Sequence, residues 1–213
     1  MLSSSIANLN KQRFNDWSYP FNGSSKPEMF FTLFSFTTHT NNVKANKANS
    51  TVIWTGSKPT GSHTGNVTLK EGYLTFDHGR LVGGNFTIDM NSITCTDIES
   101  ESKNKYLVDH LKDGDFFDVA NHPEANLKIT KAKKVNDQEY EMTGLMTIRG
   151  NTNEVTFSSE VKLTGNSYTA IAKIVIDRTK WGVEYKSKNV FKNLGDKFIY
   201  DEMELDIFLV SEK

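Results

Sequence analysis

From Thr51 onward the chain alternates apolar and polar residues, run after run, with a period of two. That pattern constrains the fold more than any other feature. Successive side chains of a strand point to opposite faces, so strict alternation makes one apolar face and one wet face. Val155, Phe157, Ser159, Val161 and Leu163 share one side of such a run; Glu154, Thr156, Ser158, Glu160 and Lys162 share the other. Equivalent inner sets are Tyr140, Met142, Gly144, Met146 and Ile148, then Tyr168, Ala170, Ala172, Ile174 and Ile176, then Met203, Leu205, Ile207 and Leu209. Upstream, Val52, Trp54 and Gly56 form one set, His63, Gly65, Val67 and Leu69 a second, and Val82, Gly84, Phe86, Ile88 and Met90 a third. Leu127 and Ile129 begin the alternation again after Pro123. Turn signals separate the runs at Asp77-His78-Gly79-Arg80, Arg149-Gly150-Asn151 and Gly165-Asn166. Glu71-Gly72 reads as a further turn, after which Leu74 and Phe76 continue the apolar face.

The period changes between Lys103 and Ala125. Tyr106, Leu107, His110 and Leu111 fall at helical spacing, and Phe116, Phe117 and Val119 make an apolar knot before Pro123. A single helix between two sets of strands has to bury its apolar face against the sheet it interrupts. A second aromatic cluster, Trp181, Tyr185 and Phe191, lies in an irregular stretch between Asp177 and Asp196, with Asp177-Arg178 as a local ion pair.

About nine antiparallel strands, long and one-sided, close into a barrel more readily than they stack as a sandwich. The expected fold is all-β, an antiparallel barrel of about eight strands with one short helical insertion. A barrel of that size is either filled by its own side chains or holds one small ligand. Inner-face Gly65, Gly84, Gly144, Ala170 and Ala172 favour the open version, unless the glycines instead ease strand curvature at bulges.

Residues 1–48 differ from the rest and are read as a disordered leader or a degenerate, mis-started signal segment, with the barrel domain spanning 49–213. Met29 with the short apolar FFTLFSF run, and small residues at Ala45 and Ala48, carry the signal reading. A net charge of -1 with interspersed signs gives no electrostatic case for nucleic acid. Cys95 is the single cysteine, which excludes an internal disulfide. No run approaches the roughly 18 apolar residues of a membrane-spanning helix.

Catalytic templates fail in turn. The chain has no Gly-x-Ser-x-Gly elbow, no phosphate-binding glycine loop and no HExxH pair. The five histidines lack metal-ligand spacing, and His110 with His122 is the one pair that the helical stretch brings close in sequence. His63, Tyr140, Ser159, Tyr168 and Asp201 are polar residues on the apolar face. They either bond one another or hold the polar head of an otherwise apolar ligand.

The segments FDHGRLVGGNFTIDMNSI, HLKDGDFFDVANHPEANLKIT, YEMTGLMTIRGNTNEVTF, DRTKWGVEY and NLGDKFIYDEMELDIFL resemble the YceI-like, polyisoprenoid-binding family, in order from about Asn49 to Val210. DFFDV…HP and GLMTIRG are the most specific parts. The resemblance implies a lipocalin-like barrel whose pore holds an isoprenoid or other long-chain lipid, a non-enzymatic role, no cofactor, and export to the periplasm or beyond. Alternation then nominates a ligand lining of Trp54, His63, Leu69, Phe76, Phe86, Ile88, Phe116, Phe117, Met142, Met146, Phe157, Tyr168 and Ile174, with Phe116, Phe117 and the helix as a lid. A solid-core barrel acting as a stress or interaction module, and an enzyme acting on a hydrophobic substrate through His63 or the His110/His122 pair, are the competing readings. A homodimer is left open.

Overall fold

The computed structural model describes residues 40–212. The described residues form nine strands: β1 (Thr40–Lys44), β2 (Thr51–Lys58), β3 (Gly61–Asp77), β4 (Arg80–Asp89), β5 (Glu124–Lys134), β6 (Glu139–Ile148), β7 (Asn151–Thr164), β8 (Ser167–Asp177) and β9 (Glu202–Val210). The α-helix, α1 (Glu101–Lys112), stands between β4 and β5. Each strand from β2 to β9 pairs antiparallel with the next, and β9 pairs back on β2, which closes an eight-stranded barrel. The barrel thus agrees with the alternation, whose inner sets face one another apart from Val82 and the strand-end residues His63 and Leu163.

The first strand lies inside the segment assigned above to a leader. β1 pairs with the second half of β3, from Thr40↔Asp77 to Lys44↔Tyr73, past the point where β2 has left it. Ala45 is buried and bridges Ser211 beyond β9. β1 therefore fills the gap between the far ends of β3 and β9, and the barrel begins at Thr40, nine residues before Asn49. The rest of the leader and signal reading, residues 1–39, falls outside the described residues.

Two errors of phase have one cause. Glu71-Gly72 is not a turn: β3 runs unbroken for 17 residues, and Lys70 is an extra residue in its register against β4. That bulge moves the inner face from Leu69 to Leu74 and Phe76, a step of odd length. Val82 is likewise extra on β4, so it is exposed and Leu81 is buried in its place. By contrast, the expected tight turns are present. His78-Gly79 and Arg149-Gly150 both take positive φ at two successive residues, the backbone twist that two-residue hairpins require.

One end of the barrel is built by the inserts. α1 buries Leu111 and half-buries Leu107, Val108 and His110, while Tyr106 is 76% exposed. Val108 takes the place expected of Tyr106, because the helix meets the barrel along a narrow stripe. After α1 the chain reverses, with the Phe117 amide on the Leu111 carbonyl (3.1 Å) and the Val119 amide on that of Lys112 (2.9 Å). This folds Phe116, Phe117 and Val119 into the core. From the other insert, Trp181 is buried and donates its indole N–H to the Met146 carbonyl at 2.9 Å.

Arg178 pins the same insert. It is 2% exposed, and its guanidinium donates to the carbonyls of Tyr200 (3.1 Å), Val183 (2.5 Å) and Ile199 (3.2 Å) and to Asp201 (3.4 Å). The ion pair expected with Asp177 is replaced by this one; the Asp177 carboxylate instead accepts from the Thr179 amide and hydroxyl. Phe191 does not join Trp181 and Tyr185: it is exposed. Among the described residues no helix is long and apolar enough to cross a membrane.

Candidate ligand cavity

The barrel encloses a cavity of about 120 Å³, measured to the centres of water-sized spheres. One water needs roughly 10–15 Å³ on that measure, so the space suits a run of chain atoms rather than a single solvent molecule. Its walls come from every strand of the ring, with Ile93 and Phe117 entering from the insert end. Asn126 and Ser159 are the polar residues in that lining, Trp54 apart, and all three are bonded. Asn126 accepts from the Thr87 hydroxyl (2.9 Å), the Ser159 hydroxyl donates to the Ile171 carbonyl (2.9 Å), and the Trp54 indole donates to the Thr94 carbonyl (3.0 Å). No ionisable side chain lines the space. A wall so largely apolar offers water few of the two to four partners that a buried one needs.

Of the residues nominated from alternation, Trp54, Leu69, Phe86, Ile88, Phe117, Met142, Met146, Phe157 and Ile174 line this cavity. Four stand elsewhere. His63 is half-exposed and bonds Asp97 at 2.9 Å, because its end of β3 projects past the barrel's apolar layer. Phe116 faces away from the cavity, in an aromatic group with His110 and Tyr185 (ring centroids 5.9 and 6.5 Å) and under the Arg178 guanidinium (5.6 Å). Its ring also packs edge-on against that of Phe117 (5.1 Å), and Phe117, not Phe116, lines the cavity. Phe76 and Tyr168 pack on each other (6.2 Å) one inward position beyond Leu74 and Ala170, which do line it. They form the wall at the end away from α1.

Methionine is the signal that the nomination underused. Met90, Met142, Met146 and Met203 all line the cavity, and they are all the methionines among the described residues. An unbranched thioether with three soft torsions adapts to the shape beside it. Ala170 and Ala172 line the cavity as expected from their size, but Gly65, Gly84 and Gly144 do not. A Cβ on Gly65 would lie 1.8 Å from the Thr94 carbonyl oxygen. That glycine lets the Ile93–Thr96 segment close down on β3, with the Thr94 amide on the Asn66 carbonyl (3.0 Å) and the Thr96 amide on that of Thr64 (2.9 Å).

The catalytic alternative has one place to live. Cys95, Asp97 and His63 come together, with the Cys95 thiol on Asp97 Oδ1 (3.1 Å) and His63 Nδ1 on Asp97 Oδ2 (2.9 Å). The carboxylate stands between thiol and imidazole, which is the wrong order for an imidazole to take the thiol proton. Burial, then the bond to Asp97, pushes the Cys95 thiol up. Burial opposes ionisation of Asp97 too, but the Thr64 amide, Cys95 and His63 outweigh it and hold the carboxyl at about 2. The trio is a satisfied polar clasp that joins the Ile93–Thr96 segment to β3. His110 and His122 have separate surroundings: His110 lies edge-on to Tyr185 (4.4 Å), while His122 is 3.9 Å from Asp118. Among the described residues no group of three or more His, Cys, Asp or Glu is placed to hold a metal.

Solved structures share this architecture. BcnA of Burkholderia cenocepacia is 22% identical, with 79% of this chain and 99% of that one aligned at a TM-score of 0.65. A polyisoprenoid-binding domain of Saccharophagus degradans, implicated in plant cell wall breakdown, is 14% identical over 81% and 99% of the two chains, with a TM-score of 0.61. The YCEI protein of Campylobacter jejuni is 16% identical over 96% and 99%, with a TM-score of 0.50. At these identities the likeness is one of fold. No curated protein matches the chain. The model of the YceI-like domain matches residues 43–210, from inside β1 to the last residue of β9, and the chain belongs to that family.

Proposed function

We propose that this protein is a binding protein, not a catalyst, and that it carries a long apolar chain of isoprenoid or similar type inside the barrel. The observation that carries this reading is the cavity wall: apolar throughout, its three polar side chains already bonded. Such a wall discriminates by shape and dryness. Each methylene moved from water into it contributes about 0.8 kcal/mol, offset by the cost of ordering ligand and side chains. The four methionines supply the adaptability by which a cavity of modest volume can follow a flexible chain. The polyisoprenoid-binding relative supports the choice of chain.

An exported location goes with the reading. If the protein is exported and cut, the cut lies before Thr40, since cleavage at Ala45 or Ala48 would remove β1 and the buried Ala45 from the barrel. Methyl-labelled methionine provides the test. Addition of a long-chain isoprenoid to delipidated protein should shift the methyl resonances of Met90, Met142, Met146 and Met203 together. Ala172→Phe, which places a ring in the cavity, should suppress the shifts while the protein stays folded. Resonances that ignore every added lipid would instead favour the solid-core module.

A further inference from the structure

We infer that the outer face of β5 is the surface by which this protein docks on an anionic lipid bilayer, setting the seam between β4 and β5 against the membrane. The choice of a bilayer as partner rests on the carrier reading above, because a carried chain has to cross between the cavity and a lipid phase.

Charge is interspersed along the sequence but not around the barrel. β5 carries Lys128, Lys131, Lys133 and Lys134, all exposed, and its one acid, Glu124, is paired with Lys70. β9 carries Glu202, Glu204 and Asp206 and no base. The two strands stand opposite each other in the ring, with β2, β3 and β4 between them on one side and β6, β7 and β8 on the other. A chain of net charge -1 thus presents one basic and one acidic flank, and a negative surface draws the basic flank toward it. Lys128 and Lys131 belong to no ion pair among the described residues. Lys133 and Lys134 lie 3.7 Å from Glu141 and Asp137, exposed pairs of little strength.

Apolar side chains stand among these lysines. Leu145 pairs directly across from Lys128 and is 41% exposed. Val82 and Val135, which follows Lys134, are exposed as well. Such a mixture suits the headgroup layer, where ammonium groups meet lipid phosphates while apolar side chains reach the acyl boundary. A nucleic acid would use the charges and leave the apolar residues in water.

The ring also parts at this face. β4 and β5 pair from Asp89↔Glu124 only as far as Gly84↔Ile129. Beyond that point Arg80–Gly83 ladder with β3 alone, and Lys131–Lys134 with β6 alone. Each strand has an extra residue at the parting, Val82 and Thr130, and bulges of this kind bend a strand. The other parting, between β7 and β8 beyond Ser159↔Ala172, is bridged by the insert, where Asn151 and Asn153 donate to the carbonyls of Trp181 and Lys180 (2.9 Å each). No hydrogen bond bridges the β4–β5 parting among the described residues, so it widens without breaking one. Ile129 at its edge, and Met142 opposite Ala132, line the cavity.

The test is co-sedimentation of the full-length protein with vesicles of phosphatidylcholine alone, and of phosphatidylcholine with phosphatidylglycerol. Wild type should bind only the anionic vesicles and leave them as salt is raised. Lys128→Glu with Lys131→Glu should weaken that binding by roughly twenty-five-fold or more, about fivefold for each lysine lost. Lys103→Glu with Lys192→Glu, the same charge change off this face, should weaken it far less. Methionine shifts on addition of an isoprenoid should be the same in both double variants as in wild type. Wild type that ignores anionic vesicles, or equal losses in the two double variants, overturns the inference while the carrier reading stands. Self-association at low salt in place of vesicle binding, β5 of one copy on β9 of the next, overturns it too. Lysine-dependent vesicle binding by a protein that takes up no isoprenoid upholds the docking face and overturns the carrier reading.

Discussion

The two ends of the barrel are closed by different physics. At the insert end, α1, the turn after it and the Arg178–Trp181 segment are laced by directed bonds. Arg178 reaches three carbonyls and Asp201, Arg149 reaches the carbonyls of Gly182 and Gly114, and Trp181 reaches Met146. At the far end, strands and hairpins run out, β1 fills a gap in the ring, and two rings meet over an unpartnered hydroxyl. A laced end resists opening, because displacement would strand several buried polar groups together. At the far end the directed bonds are mostly main-chain ones, such as the Ser211 amide on the Tyr168 carbonyl (2.9 Å) and the Glu212 amide on that of Lys44 (2.8 Å), and no buried charge is held there as Arg178 is. The contrast is one of bonding, and it bears on the lid expected from Phe116, Phe117 and the helix, which stands at the laced end.

The largest effect should come from unlacing. Arg178→Ala leaves three carbonyls and Asp201 without their donor and should cost about 3–5 kcal/mol in chemical denaturation; a loss below about 1 kcal/mol would mean the end is held by packing alone. Gly65→Ala forces a Cβ against the Thr94 carbonyl and should cost about 1–3 kcal/mol. It sharpens the comparison if the mutant still shows the methionine shifts expected on addition of an isoprenoid. Next, Phe116→Ala and Phe117→Ala separate lid from lining. Both should destabilise, but only Phe117→Ala should change lipid affinity, since Phe117 lines the cavity and Phe116 does not. Equal affinities in the two variants would restore the helix-end lid.

The smallest effect is electrostatic. The folded Asp97 carboxyl is held at about 2, below its ordinary 3.8. Its contribution to stability is therefore fully present above the ordinary value and fades as pH falls through the folded one. Asp97→Asn should remove stability near neutral pH and flatten the acid limb between about pH 4 and 2. An unchanged acid limb would show that the clasp is not what holds the Ile93–Thr96 segment.

What the sequence made legible follows from what is local. Alternation placed Trp54, Phe157 and Ile174 inward, and glycine-bearing turns at His78-Gly79 and Arg149-Gly150 fixed the hairpins, because both signals are complete within a few residues. A bulge has no such signature, so the extra residue Lys70 makes Glu71-Gly72 read as a turn, and alternation puts Val82 inward. Helical spacing puts Tyr106 in the stripe, but spacing alone does not say whether Tyr106 or Val108, on either side of Leu107, meets the barrel. The partner of Arg178 lies 23 residues away, and β1 pairs across a stretch that includes all of β2; neither could be read from neighbours. The cavity followed from strand faces, but its end wall did not: Phe76 and Tyr168 obey the same alternation as the lining, and only the barrel's height separates the two.

The most direct test of the central claim is native mass spectrometry of the protein as purified, followed by organic extraction and identification of what is released. The account predicts one stoichiometric long-chain species, lost on denaturation and readmitted on refolding. A protein that emerges empty and then refuses added isoprenoids would contradict it, and the barrel would have to be understood as a solid core that acts through its surface.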